Sequence, residues 1–153
     1  MAEPKFVPKP NQVDYTNIRY APVVNTVVMH DGKILLVQRS SDMRLYPGYW
    51  NGISGFLDDA RSIEEKVTQE LAEELWIVSD DIESMERGNV LLQEAPDYHK
   101  TWFVVPVLAR VRTADFRLDW EAKTAQWYLP EGLGRLELLP GFDAVIGQFL
   151  DRL

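Results

Sequence analysis

The 153-residue chain contains no cysteine. Disulfides, thiolate nucleophiles and cysteine-ligated zinc are therefore excluded. Histidine is scarce as well. Only His30 and His99 occur, too few for a histidine-rich metal centre. A metal on this chain must be held by oxygen, which selects a hard ion such as Mg2+, Mn2+ or Ca2+. Positive charge is in deficit, with 16 Lys and Arg against 24 Asp and Glu, a net charge of −8. Non-specific binding to nucleic acid, which needs a basic patch, is not expected. A small anionic partner remains open, provided a cation lies between the two negative species. Long apolar runs are also missing. The longest, Trp102 to Ala109, is far below the roughly 20 residues of a membrane span. The N-terminal stretch MAEPKFVPKPNQVDY is polar and proline-rich and does not read as a secretion signal. The expectation is a cytoplasmic protein with no membrane partner.

What is present is an ordinary globular mix, 46% hydrophobic and 26% charged, enough for one domain with a core. Residues 1–19, with Pro4, Pro8 and Pro10, read as an extended arm. It either lies on the domain or serves a homodimer. Residues 20–153 read as a single domain. Tyr20 to Met29 is valine-rich and strand-like. Asp31-Gly32 signals a hairpin turn, and Ile34 to Gln38 returns. Residues 39–48 form a loop. Tyr49 to Phe56 is a short strand interrupted by Gly52 and Gly55, which suggests a bulge or a close backbone approach to a ligand. Asn89 to Glu94, Thr101 to Val111 and Ala125 to Leu129 complete the strands. A closing amphipathic helix is expected over about 141–152. The fold class is α+β, an α/β/α sandwich on a mixed sheet.

The most informative segment is a helix predicted over about 62–75. Ser62 and Glu65 form a capping box at its start. Ile63, Val67, Leu71 and Leu75 recur every four residues as a buried stripe. Advancing about 100° per residue places Glu74 within that stripe, and Glu70 and Glu73 along its edge. Like charges so placed repel, and burial adds a desolvation cost. Lys66, one turn before Glu70, is one positive charge against three negative ones. Either solvent absorbs the repulsion or a cation sits there.

Gly55 to Ile77 resembles the Nudix box, G-x5-E-x7-R-E-U-x-E-E-x-G-U, where U is aliphatic. The matches are Gly55, Glu70, Leu71, Glu73, Glu74 and Ile77. Three positions depart: Arg61 stands for the first glutamate, Gln69 for the arginine and Trp76 for the second glycine. Trp127-Tyr-Leu-Pro130 is similar to the closing strand and turn of such domains. The resemblance implies a Nudix-like fold and metal-dependent hydrolysis of a pyrophosphate bond in a nucleotide or nucleoside diphosphate derivative, with Mg2+ or Mn2+ as cofactor. It implies a metal set of Gly55, Glu70, Glu73 and Glu74. Glu70, Glu73 and Glu121 become candidates for the catalytic carboxylate. The departures keep open an alternative, a Nudix fold that binds a nucleotide with little or no turnover.

Arg39, Arg44, Tyr46 and Arg61 are candidate contacts to a small phosphorylated substrate. Arg61 can instead pair with Asp58 or Asp59. Trp50, Trp102, Phe103, Trp127, Phe142 and Phe149 read as core.

Overall fold

In the computed structural model, which describes residues 5–153, the first strand runs through the valine-rich segment. Residues 1–4 of the expected arm lie outside the described residues. β1 (Tyr20–His30) turns into β2 (Lys33–Arg39) through Asp31 and Gly32. Both turn residues have positive φ, 50° and 75°, the combination that suits a two-residue hairpin. β3 (Trp50–Asn51) and β4 (Ile53–Phe56) are separate strands, split at Gly52. A Cβ there would lie 2.2 Å from the Thr26 carbonyl oxygen, so only glycine allows this approach. β5 (Ile82–Arg87), β6 (Leu91–Ala95), β7 (Lys100–Val111) and β8 (Ala122–Tyr128) follow.

The eight strands form one mixed sheet with the path β3-β2-β1-β7-β5. β4 pairs with β1, β6 with β7, and β8 with β2. At its centre β1 and β7 run parallel, in register from Tyr20–Thr101 to Met29–Arg110. Both faces are covered, so β1 and β2 are buried almost continuously rather than in alternation. Val24, Val28, Leu35 and Val37 pack with Val67, Leu71 and Leu75 of α1 (Ile63–Leu75) on one side. Val27, Met29, Ile34 and Leu36 pack with Phe142, Val145 and Ile146 of α2 (Phe142–Gly147) on the other. This is the expected α+β arrangement on a mixed sheet.

Two elements differ from expectation. β5 was not anticipated, because Ile82–Arg87 buries only partly and shows little alternation. The closing helix is shorter than 141–152. It stops at Gly147, and a 3-10 turn spans Leu150–Arg152. The hydrogen bonds tighten there, from Gln148 N to Val145 O and from Phe149 N to Ile146 O. Gly147 has little helical propensity, and burial of Phe149 sets the direction of the last turn.

Candidate active site

α1 begins with the expected capping box: Ser62 Oγ accepts from Glu65 N at 3.1 Å, and Ser62 N donates to Glu65 Oε1 at 3.2 Å. It ends at Trp76 in a left-handed conformation, φ 60° and ψ 25°. Trp76 N donates to Ala72 O and Ile77 N donates to Leu71 O, closing the helix in the manner usually entrusted to glycine. Arg117 lies over the exposed Trp76 ring, 5.4 Å from its centroid.

This start and stop aim Glu70 and Glu74 at the sheet. Glu70 is half-buried and its carboxylate rests against β4. A Cβ at Gly55 would fall 2.6 Å from Glu70 Oε1, so the missing side chain makes the space the carboxylate fills. Lys66 Nζ is 3.4 Å from Glu70 Oε1 and 3.5 Å from Asp58 Oδ1, with lysine and aspartate both buried. Burial raises the Glu70 pKa above its ordinary value, while a hydrogen bond from Glu74 and the charge of Lys66 oppose the rise.

Glu74 lies deeper in the cluster. Its Oε2 is buried and meets no donor. Burial, followed by the neighbouring Glu121 and Glu70, pushes its pKa well above the ordinary value. Held neutral, it can share its proton with those neighbours; ionised, it is stranded.

Glu121 reaches the cluster from the loop before β8. Its N–H donates to Asp119 Oδ1 at 3.0 Å, and its carbonyl accepts from Ser40 N at 2.8 Å. Burial raises the Asp119 pKa, and the charges of Glu121 and Glu73 add to the rise. Glu74, Asp119 and Glu121 border a void of about 10 Å3, close to the size of one water or one small ion.

Glu73 lies apart from this buried group. It is exposed and accepts from Gln69 Nε2 at 2.7 Å. Gln69 Oε1 in turn accepts from Arg61 Nη1. Arg61 Nε also donates to Asp59 Oδ2 at 3.0 Å, and this pair holds the Asp59 pKa down to about 2. Two departures from the motif therefore touch each other. Where the family pattern has glutamate and arginine, this chain has Arg61 and Gln69.

Among the described residues, no group of three Asp, Glu or His side chains already surrounds a common cation position. The donor chemistry nevertheless fits a hard divalent ion. The cluster offers only oxygen, Glu74 Oε2 lacks a partner, and Lys66 pairs with Glu70 at its edge.

A cavity of about 520 Å3 opens beside Glu70 and Glu121. Arg39, Arg44, Tyr46 and Gly55 line it. Arg39 Nε donates to Leu45 O at 2.9 Å. Tyr46 has φ 49°, its N–H donates to Tyr98 Oη, and its hydroxyl accepts from Trp102 Nε1 at 3.0 Å. Arg61 does not line the cavity. Sequence reasoning did not single out Lys100, Asn25, Asn51 or Asp119, which the fold brings to one of the two cavities. A buried lysine and paired asparagines within apolar strands were the available signals.

The family model for the NUDIX domain matches residues 19–153. The chain belongs to the Nudix family and is a Nudix-type pyrophosphohydrolase, a hydrolase of the class acting on nucleotides or nucleoside diphosphate derivatives. Among curated relatives, the nucleoside triphosphatase NudI of Escherichia coli O81 (strain ED1a) is 24% identical over 132 residues, covering 79% of this chain and 90% of its own. Two solved structures share the fold. The MutT NUDIX hydrolase from Burkholderia pseudomallei superposes with a TM-score of 0.73 at 20% identity, covering 85% of this chain and 98% of its own. The NUDIX domain of Shewanella oneidensis NrtR, complexed with ADP ribose, gives 0.73 at 21% identity and covers 94% of both chains. No helix among the described residues is long and apolar enough to cross a membrane.

Proposed function

We propose that the protein hydrolyses a pyrophosphate linkage in a nucleoside triphosphate or a nucleoside diphosphate derivative, with Mg2+ or Mn2+ as cofactor and the cytoplasm as its setting. One observation carries this reading: Glu74 is half-buried with its Oε2 buried and unpartnered, and its neighbours Glu70 and Glu121 line a nucleotide-sized cavity. Glu70 and Glu74 would hold the ion, with the Gly55 carbonyl and Glu73 as further oxygen donors. The bound ion supplies neutralisation of the phosphate charge and acidification of a water.

The chain's own groups do the rest. Glu121 and Glu70 are the two carboxylates we assign to accept the proton of an attacking water, both lining the cavity. Glu121 is the better held, anchored at both its backbone N–H and its carbonyl. Lys66 keeps Glu70 turned toward Gly55 and the cavity. Arg39 and Arg44 bring positive charge to the cavity wall for the phosphates. Arg61 and Gln69 hold Glu73 at the rim rather than touching substrate.

The test is a turnover panel of nucleoside triphosphates and ADP-ribose with Mg2+ or Mn2+, reading phosphate-containing products. Wild type is compared with E70Q, E73Q, E74Q and E121Q. Turnover by wild type, and its loss by at least a hundredfold in E74Q and one candidate base, is expected. Tight binding without turnover in either metal points instead to a nucleotide-binding module. Unchanged rates in both E73Q and E74Q overturn the metal assignment.

A further inference from the structure

The N-terminal segment is built into the wall of the cavity. Val13 N donates to Asp58 O at 2.7 Å, and Gln12 Nε2 donates to Asp58 Oδ2 at 2.8 Å. Tyr15 stacks on Phe56 of β4, with ring centroids 5.7 Å apart and planes 8° from parallel. Lys100, at the start of β7, is only 5% exposed. Its ammonium donates to the carbonyls of Tyr15, Thr16 and Ile18. A buried ammonium needs such acceptors, and three from one short segment make it a staple for that segment. Lys100 meets no phosphate-like carboxylate in these contacts. Its donors are turned to the backbone of the arm.

The same cavity is bounded by Glu70 and Glu121 and by Val13, Tyr15, Phe56 and Trp102. A pyrophosphate occupies only part of about 520 Å3. Aromatic side chains, Tyr15, Tyr46, Phe56 and Trp102 among them, form part of the remaining wall. Phe56 and Trp102 are tilted at 5.9 Å, and Trp102 is tied to Tyr46. Flat aromatic faces beside hydrogen-bonding groups suit a planar base.

We infer that residues 13–16 form the specificity wall for the nucleoside portion of the substrate, with Tyr15 as a base-stacking face and Lys100 as the residue that positions it. This rests on the nucleotide-hydrolase reading given above. The wall acts on the half of the ligand that does not react. Its loss therefore weakens binding of a nucleotide and leaves binding of bare pyrophosphate unchanged.

The test measures affinity of the whole chain for ADP and for inorganic pyrophosphate by calorimetry, in Mg2+. Wild type is compared with Y15A, Y15F and K100M, and hydrogen exchange at the Val13 and Ile18 amides reports the docking of the arm. Y15A and K100M are expected to weaken ADP about tenfold or more, the worth of one lost base stack, with pyrophosphate within about twofold. Y15F is expected to match wild type, because the ring remains and only a long 3.5 Å contact to Leu57 O is lost. Should K100M fail to fold, Y15A against Y15F decides the matter. Equal loss of both ligands, or unchanged ADP affinity while the amides exchange freely, overturns the inference. A wild type that binds neither ligand removes the nucleotide reading itself, and the specificity wall with it.

Discussion

Replacing Glu74 by glutamine should stabilise the protein in the absence of metal and abolish its stabilisation by metal. Glu74 Oε2 is buried without a donor, next to Glu70 and Glu121. Its folded-state pKa lies well above the ordinary 4.5. Between 4.5 and that raised value the folded chain binds more protons than the unfolded one, so wild-type stability falls as pH rises. Glutamine carries no such penalty, and its two amide hydrogens can serve the oxygens of Glu70 and Glu121. The advantage of E74Q should thus be near zero around pH 4.5 and reach about 1–3 kcal/mol by pH 8, the scale of an unsatisfied buried polar group. For a chain of this length that is a rise in Tm of about 2–10 °C. Metal offsets this advantage. At a hundredfold excess over Kd, Mg2+ or Mn2+ adds about 2.7 kcal/mol to the wild type and nearly nothing to E74Q. The assay is thermal unfolding of both proteins in chelator and in metal, at pH 4.5 and pH 8. If E74Q is the less stable protein in chelator at pH 8, the reasoning about a strained buried carboxyl group is wrong.

Other perturbations probe the surroundings. G55A should leave the fold intact, because its new Cβ meets the end of a flexible side chain 2.6 Å away. Displacing Glu70 should cut turnover at least tenfold while Tm moves by only about 2 °C or less; equal losses of both would point to a backbone role. R61E should lower turnover several-fold by releasing Gln69 and Glu73, and R61E with Q69R should restore it. A double variant no better than R61E would show that the two positions do not compensate. W76G should raise stability by about 0.5–1 kcal/mol, since the left-handed cap at φ 60° strains any residue with a Cβ. A lower Tm would mean that the Arg117–Trp76 contact outweighs the strain.

The helix was legible in the sequence because its determinants are local. Ser62 and Glu65 are three residues apart, and the stripe from Ile63 to Leu75 repeats within four turns. The projection that put Glu74 inside this stripe anticipated the burial of its Oε2. What could not be read depends on distant pairing. β5 exists because Ile82–Arg87 finds an edge on β7, not because of its own pattern. Lys100 holds carbonyls about eighty residues earlier in the chain, and nothing beside it announces that. The Arg61–Gln69 contact crosses the helix cap, so two apparent defects in the motif became one interaction only in three dimensions. The closing helix failed at Gly147, where a continuing apolar period hid a change of backbone geometry.

The parallel pairing of β1 with β7 has a consequence for the order in which the site is made. Tyr20 meets Thr101, and Met29 meets Arg110. On a ribosome, α1 and its glutamates are available long before the strand that completes the centre of the sheet. Glu121 and Lys100 arrive later still than α1. Until that distant closure, β1 presents an open edge to the crowded cell, and the acidic helix has no cavity to serve. Contacts so far apart in sequence close slowly. A nascent chain stalled before residue 100 should therefore lack Glu121 and the Lys100 staple of the arm, and should lean on chaperones during that interval.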